Sequence, residues 1–179
     1  MNNKLKLTLA ILKPDVVKVP FVLQQIRQIM LNQGFYVVRF RELNFSREDA
    51  RLFYLDHEGR FFHNRLLTFM TSGPIQAYIL AHQVDAIQKW RTLMGPTKTF
   101  KAQYDNPGSI RGLLGLTDTR NSCHGSDSED SALREIGIFF PQFSVKSFYD
   151  REEPLIRNGE CYIDEKTFTH LCNRPSDGF

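Results

Sequence analysis

The stretch "LKLTLAILKPD", Leu5 to Asp15, reads as a β-strand that stops at a proline. Leu5, Leu7, Leu9 and Ile11 alternate with Lys6, Thr8, Ala10 and Leu12, the period-two pattern of a strand buried on at least one face. Lys-Pro-Asp ends it, because proline has no N–H for a sheet ladder. Pro20 opens a segment of helical period, with Leu23, Ile26 and Ile29 or Met30 on one face, and Gly34 is placed to end it. "FYVVRFREL" from Phe35 is a second strand. Ser46 with Asp49 carries the capping-box signature and opens a helix on which Ala50, Phe53 and Tyr54 share a face. Phe61 to Thr71 is another helical segment, stopped by "SGP"; "IQAYILAH" from Ile75 is a third strand, and Asp85 to Met94 a further helix. Ser128 to Phe140 restores helical spacing through Ala132, Ile136 and Phe139 or Phe140. With a helix between the first two strands and elements that alternate, the pattern predicts an α/β or α+β sandwich with helices packed on one sheet.

Two stretches escape the pattern. Gly95 to Gly115 is rich in Gly, Pro, Lys and Asn and reads as a loop longer than the usual connection, which marks it as a candidate functional loop. After Pro141 the chain turns polar and irregular, and the last thirty or so residues, with Pro154, Gly159, Pro175 and Gly178, read as a tail lying over the domain. The chain of 179 residues suits one domain with a real core, and its net charge of +3 demands neither disorder nor a polyanion partner. Basic residues are scattered without an aromatic-basic stripe, so nucleic acid is not the expected ligand. No stretch approaches the roughly 18 to 20 apolar residues of a membrane span. The N-terminus runs straight into apolar alternation, without the pattern of a secretory signal or transit peptide. Cys123, Cys161 and Cys172 lack zinc-type spacing, which predicts free thiols in a reducing compartment.

The chemistry gathers in "RNSCHGSDS", Arg120 to Ser128. His124 stands between Asn121 and the small-residue turn Gly125-Ser126-Asp127-Ser128, whose backbone N–H groups could bind phosphate beside the imidazole. Glu135, on the helix that follows, could hydrogen-bond one ring nitrogen and leave the other as nucleophile, the alternative being a solvated helix face.

Together with "LTLAILKPD", "RFF", "TSGP", "WRTLMGPT" and "SIRG", this stretch resembles the nucleoside diphosphate kinase family from about Leu5 to Tyr149. "HEGRFF", "QAYILAH", "WRTLMGPTKTF" and "GLTDTRN" resemble its divergent nucleoside diphosphate kinase 6 branch. The resemblance implies an α+β, ferredoxin-like βαββαβ core with helices packed on an antiparallel sheet. It divides the chain into a kinase domain, 1–149, and a C-terminal extension, 150–179. It further implies transfer of a terminal phosphate from a nucleoside triphosphate to a diphosphate through a phosphohistidine, by ping-pong kinetics. His124 would be the nucleophile, Glu135 its orienting partner and Lys13 the ammonium that follows the transferred phosphate. Arg91, Thr97 and Arg111 would hold the phosphates, the arginines through bidentate forks, and Asn121 would contact the sugar and phosphate end. Tyr54 would help position the transferred group, its alternative being core packing. Phe61 would stack on the base, which suits an enzyme tolerant of base identity, while Phe62 and Phe69 are assigned to the core. Magnesium would arrive bound to the phosphates, and no residue is assigned to hold it.

Three departures from the family pattern qualify the expectation. The segment between Tyr54 and Phe61 is a residue short, with Arg60 where proline usually precedes the phenylalanine. Asp118 stands where a small apolar residue usually faces the base, which leaves one side of the clamp poor. The loop from Thr97 to Arg111 is longer than usual, in a region that packs near trimer contacts, so the homo-oligomeric state stays open. The alternative function is a weakly active or inactive nucleotide-binding member acting through a protein partner, bound by the long loop or the extension. Residence in mitochondria follows from the branch resemblance, with the cytoplasm as the alternative.

Overall fold

The computed structural model describes residues 4–172. Pro175 and Gly178 of the expected tail lie outside the described residues. Strand β1, Lys6–Leu12, leads into a single helical turn, α1, Pro14–Val17, and then α2, Pro20–Asn32. Gly34, at φ +77°, turns the chain back into β2, Tyr36–Asn44. Half of the expected capping box forms: Ser46 Oγ accepts from the Asp49 N–H and opens α3, Arg47–Phe53, while the Asp49 carboxylate accepts from the Ser46 hydroxyl. Helix α4, His63–Met70, strand β3, Pro74–His82, and helix α5, Ala86–Met94, follow, the last capped by Asp85. Strand β4, Cys123–Gly125, then precedes α8, Glu129–Phe139, capped by Ser128.

The four strands form one antiparallel sheet in the order β2-β3-β1-β4, with Lys6 opposite His82 and Ile11 opposite His124. This is the expected ferredoxin-like order. Strand β1 is central, and both of its faces are buried. Leu5, Leu7, Leu9 and Ile11 pack with Phe53, Leu67, Ile136 and Phe139, whereas Ala10 and Leu12 pack with Ile26, Met30, Trp90 and Met94. Helices therefore cover both faces of the sheet, which explains the near-continuous apolar run of β1.

Two sequence readings are corrected. Gly95–Gly115 is not an irregular loop: it holds α6, Thr99–Asp105, and α7, Ile110–Leu114. These helices are too short to show periodicity and are held by tertiary burial of Thr99, Ala102, Ile110 and Arg111. The segment after Pro141 is not irregular either. It forms α9, Val145–Ser147, a π-turn at Phe148–Glu152, α10, Glu153–Arg157, and a hairpin of β5, Cys161–Asp164, and β6, Thr169–Cys172. Phe148 and Ile156 are fully buried in the core beneath β1.

Glu153 anchors this C-terminal part. It is buried, and its Oε1 accepts both the Leu5 N–H, at 2.9 Å, and the Arg157 Nε–H, at 2.9 Å. Removing the carboxylate leaves a buried N–H unpaired, an expensive change. Glu153→Ala is expected to lower stability by about 3 kcal/mol in urea unfolding, whereas an unchanged midpoint would make the extension dispensable to the core.

Candidate active site

His124 occupies the middle of β4, and its position opposite Ile11 directs the ring toward α3 and α8. The adjacent residue has to be glycine, because a Cβ on Gly125 would lie 2.4 Å from Trp90 Cδ1. The Trp90 indole N–H in turn donates to the His124 carbonyl at 3.1 Å, so α5 fixes the backbone beneath the histidine. Phe53 and Tyr54 stand edge-on to the imidazole, with centroids at 5.0 and 6.4 Å.

Glu135 is buried on α8, not on a solvated face. Its Oε2 lies 3.1 Å from His124 Nε2 and accepts the Ser126 hydroxyl at 2.6 Å. A carboxylate oxygen only accepts, so Nε2 carries the proton and Nδ1 keeps its lone pair. Nδ1 has no hydrogen bond among the described residues, and the histidine lines a cavity of 680 Å³. Ser126 is the member of this relay that sequence reasoning missed; its signal was its place two residues after the histidine, on the same side of an extended strand.

In the turn from Gly125 to Ser128, one amide of the expected phosphate nest is already engaged. The Ser126 N–H donates to the Leu9 carbonyl, the Ser131 N–H to Ser128 Oγ, and Glu129 and Asp130 make the first turn of α8 acidic. The Ser126 amide is thus committed to the sheet, and the Ser128 side chain to the helix cap. Asp127 lines the cavity with its carboxyl held below the usual range, chiefly by the Ser131 hydrogen bond.

Lys13 reaches the cavity from the end of β1. It is buried, and its ammonium donates to Asn121 Oδ1 at 2.6 Å and to the Thr119 carbonyl at 3.4 Å. Burial, and then the Arg111 guanidinium, lower its pKa from 10.5 to about 8. Asn121 Nδ2 donates to the Thr97 and Asp118 carbonyls, each at 3.0 Å. Its amide therefore positions Lys13 and the Thr97–Asp118 wall, while Oδ1, with two lone pairs and one bond from Lys13, can still accept from a ligand hydroxyl. Arg111 spends Nε, Nη1 and Nη2 on the carbonyls of Asn121, Gly95 and Cys123, at 3.3, 2.8 and 2.8 Å. Each terminal nitrogen retains one N–H, so a phosphate meets a partly engaged guanidinium rather than a free fork.

Arg91 and Thr97 are exposed on the cavity wall, and Phe61 stands at its rim, 93% exposed. Phe62 is not simply core: it is half-buried, lines the cavity and meets Phe61 and His57 edge-on. Phe69 packs against the core beneath α4, as expected. Tyr54 is buried in that core and also lines the cavity. Its hydroxyl has no hydrogen-bond partner among the described residues, and burial pushes its pKa up. Asp118 is exposed at the cavity, but its Oδ1 accepts the Thr99 N–H at 3.1 Å. It thus gives the first amide of α6 an acceptor while still lining the cavity. Sequence reasoning did not assign Arg65, Lys98 or Arg134, which also line the cavity. Surface arginines and lysines carry no signal until the fold brings them together.

The family description "Nucleoside diphosphate kinase" matches residues 6–145. The chain belongs to the nucleoside diphosphate kinase family. It is 57% identical over 162 residues to the human "Nucleoside diphosphate kinase 6", covering 90% of this chain and 87% of that protein. A mouse protein of the same name is 57% identical over 166 residues, covering 93% of this chain and 87% of its own length. These relatives place the chain in the nucleoside diphosphate kinase 6 branch. The Aquifex aeolicus nucleoside diphosphate kinase superposes with a TM-score of 0.72 at 35% identity, over 79% of this chain and 97% of that one. A nucleoside diphosphate kinase from Halobacterium salinarum, solved in complex with CDP, has a TM-score of 0.70 at 32% identity, over 79% of this chain and 95% of that one. Among the described residues no helix is long and apolar enough to cross a membrane.

Lys13 gives the site a pH dependence. Its pKa in the fold lies below its ordinary value, so its burial cost is fully present below about 8 and is relieved as pH rises toward 10.5. Phosphate attraction runs the other way, because it needs the ammonium. ADP affinity is expected to fall about tenfold between pH of about 7.5 and about 9.5 in calorimetry, and the Lys13→Met profile to be flat. A wild-type profile as flat as the variant's would remove Lys13 from phosphate binding.

Proposed function

We propose that this chain transfers the terminal phosphoryl group of a nucleoside triphosphate to a nucleoside diphosphate through phospho-His124. The observation that carries the reading is the Glu135–His124 contact of 3.1 Å at Nε2, which leaves Nδ1 with its lone pair beside the cavity. Nδ1 attacks the terminal phosphorus, and the bond to the bridging oxygen breaks, releasing the nucleoside diphosphate. A second diphosphate then takes the phosphoryl group from the same nitrogen. Because the imidazole acts as acceptor and then donor, one site serves both half-reactions. Glu135 stabilises the charge that the ring gains at Nε2, and Ser126 holds the carboxylate in place.

Lys13, Arg91, Thr97 and Arg111 face the phosphates in this reading, Phe61 offers the base a stacking platform, and Tyr54 limits where the transferred group can lie. Asn121 acts through Lys13. The cations of the lining, Lys13, Arg65, Arg91, Lys98, Arg111 and Arg134, outnumber its carboxylates, Asp56, Asp118, Asp127 and Glu135. Such a lining fits a phosphate chain that carries magnesium on its own oxygens, where the ion would neutralise charge, and we assign it no protein ligand. The test is incubation with γ-phosphate-labelled ATP. Wild type is expected to acquire acid-labile, base-stable phosphate and His124→Ala none; equal labelling of both would exclude His124 as the acceptor.

One observation favours a second reading, in which the protein acts through a partner. Phe100 and Tyr104 on α6 are 82% and 83% exposed, and Leu113 and Leu116 around α7 are 62% and 68% exposed. Apolar surface gathered on one short insertion is characteristic of an interface. In this reading the insertion binds another protein and stands clear of self-assembly. Light scattering is then expected to give a monomer or dimer mass, and a clean hexamer would assign the surface to contacts between copies.

A further inference from the structure

The hairpin at the end of the described chain places two cysteines directly opposite one another. In the β5–β6 register Cys161 pairs with Cys172, Tyr162 with Leu171, Ile163 with His170 and Asp164 with Thr169. Directly opposed residues of an antiparallel pair share a face and have Cα atoms about 4.5 or 5.5 Å apart, depending on the pair type. Both separations lie within the range a disulfide spans, roughly 4.4 to 6.8 Å. The side chains confirm the shared face. Tyr162 and Leu171 are exposed, whereas the two sulfurs turn inward, where Cys172 Sγ donates to the Glu152 carbonyl and Cys161 Sγ to the Ile156 carbonyl. Both are free thiols in this structure, and both are half-buried.

The register is held by contacts outside the cysteines. Phe168, at φ +48° in the turn, is buried with the Arg27 guanidinium 4.4 Å from its ring centroid and Tyr78 edge-on to it. Asp164 Oδ2 accepts the Thr167 N–H at 3.0 Å and the Thr167 hydroxyl. His170 Nδ1 accepts the Val37 N–H at 2.9 Å, on the edge strand of the sheet and beside its register shift between Val37 and Arg39. A one-residue slip would turn Phe168 and His170 to the wrong face, so the thiols meet in the only register that keeps these contacts.

We propose that Cys161 and Cys172 close reversibly into a cross-strand disulfide that locks the hairpin against the edge of β2. With glutathione disulfide as oxidant, the Cys161 thiolate attacks one of its sulfurs and releases a glutathione thiolate. The Cys172 thiolate then attacks the Cys161 sulfur of the mixed disulfide and releases the second glutathione. Two electrons pass from the cysteine pair to glutathione disulfide, and the two thiol protons end on the two glutathiones. Burial raises both thiols, and at Cys172 the Glu152 carboxylate adds to it, so Cys161 goes first. Cys123 takes no part. It is fully buried in β4, and burial pushes its thiol up to about 11. The bond would hold in place a hairpin whose departure bares the N–H and C=O groups of an edge strand, a template for unwanted pairing.

The test uses the full chain incubated with glutathione disulfide and digested with trypsin without reductant. The expected result is peptide 158–166 linked to peptide 167–179, in a monomer lighter by two hydrogen atoms. Titration of the unfolded protein is expected to find one thiol where three were present, with Cys123 the survivor. Amide exchange across 161–172 should slow by at least about tenfold on oxidation. In Cys161→Ser the same treatment should leave a glutathione adduct on Cys172 and no link. A disulfide-linked dimer, stable glutathione adducts on wild type, or three thiols still free would each overturn the proposal.

Discussion

The site is organised around a buried guanidinium. Arg111 donates to the carbonyls of Gly95, Asn121 and Cys123, and so ties the end of α5 and the entry to β4 to the short helix α7. Holding that cation out of water is costly unless its donors are satisfied, and backbone carbonyls satisfy them here. With the Asn121 backbone fixed, its amide can hold the Lys13 ammonium, and with Cys123 fixed, the next residue presents His124 to the cavity. Ser122, between them, takes φ +73°, and its N–H donates to Asp15 Oδ2. A non-glycine residue held in the left-handed region is tolerated where the surroundings over-determine it.

The arrangement sets two cations close together before any ligand arrives. Lys13 is the more adaptable of the two, since burial and Arg111 have already brought its proton close to release. An anionic ligand would relieve both, because phosphate oxygens supply the charge that the carbonyls lack. The histidine sits on the other side of the division of labour. Glu135 Oε2 is engaged both by the Ser126 hydroxyl and by Nε2, and the opposite ring nitrogen is left unengaged among the described residues. The protein thus saturates the groups that position the site and leaves unsaturated those that face the cavity.

The C-terminal part belongs to the same structural logic. Glu153 pins α10 to Leu5, the residue that leads into the central strand β1, and β6 covers the sheet's exposed edge. A ferredoxin-like sheet ends in a bare strand on the β2 side, and a short hairpin laid along it is a standard way to blunt such an edge.

The sequence by itself determined the helices α2, α3, α5 and α8 and the strands β1 to β3, because each carries a full period of apolar residues or a capping residue that acts within a few positions. It also determined the family, through "RNSCHGSDS" and the lysine after β1, since those residues sit in contiguous stretches. Only the tertiary structure decided which donors remain free. Arg111 and Asn121 look like ligand-binding side chains in sequence, yet the carbonyls that occupy them come from Gly95, Cys123 and Thr97, and no local pattern states which backbone groups a fold leaves unpaired. Asp118 likewise reads as a misplaced charge until α6 forms beside it and its N-terminal amide needs an acceptor. Helices α6, α7 and α10 were illegible for the same physical reason: they span too few residues to show a period, and burial against distant elements is what stabilises them.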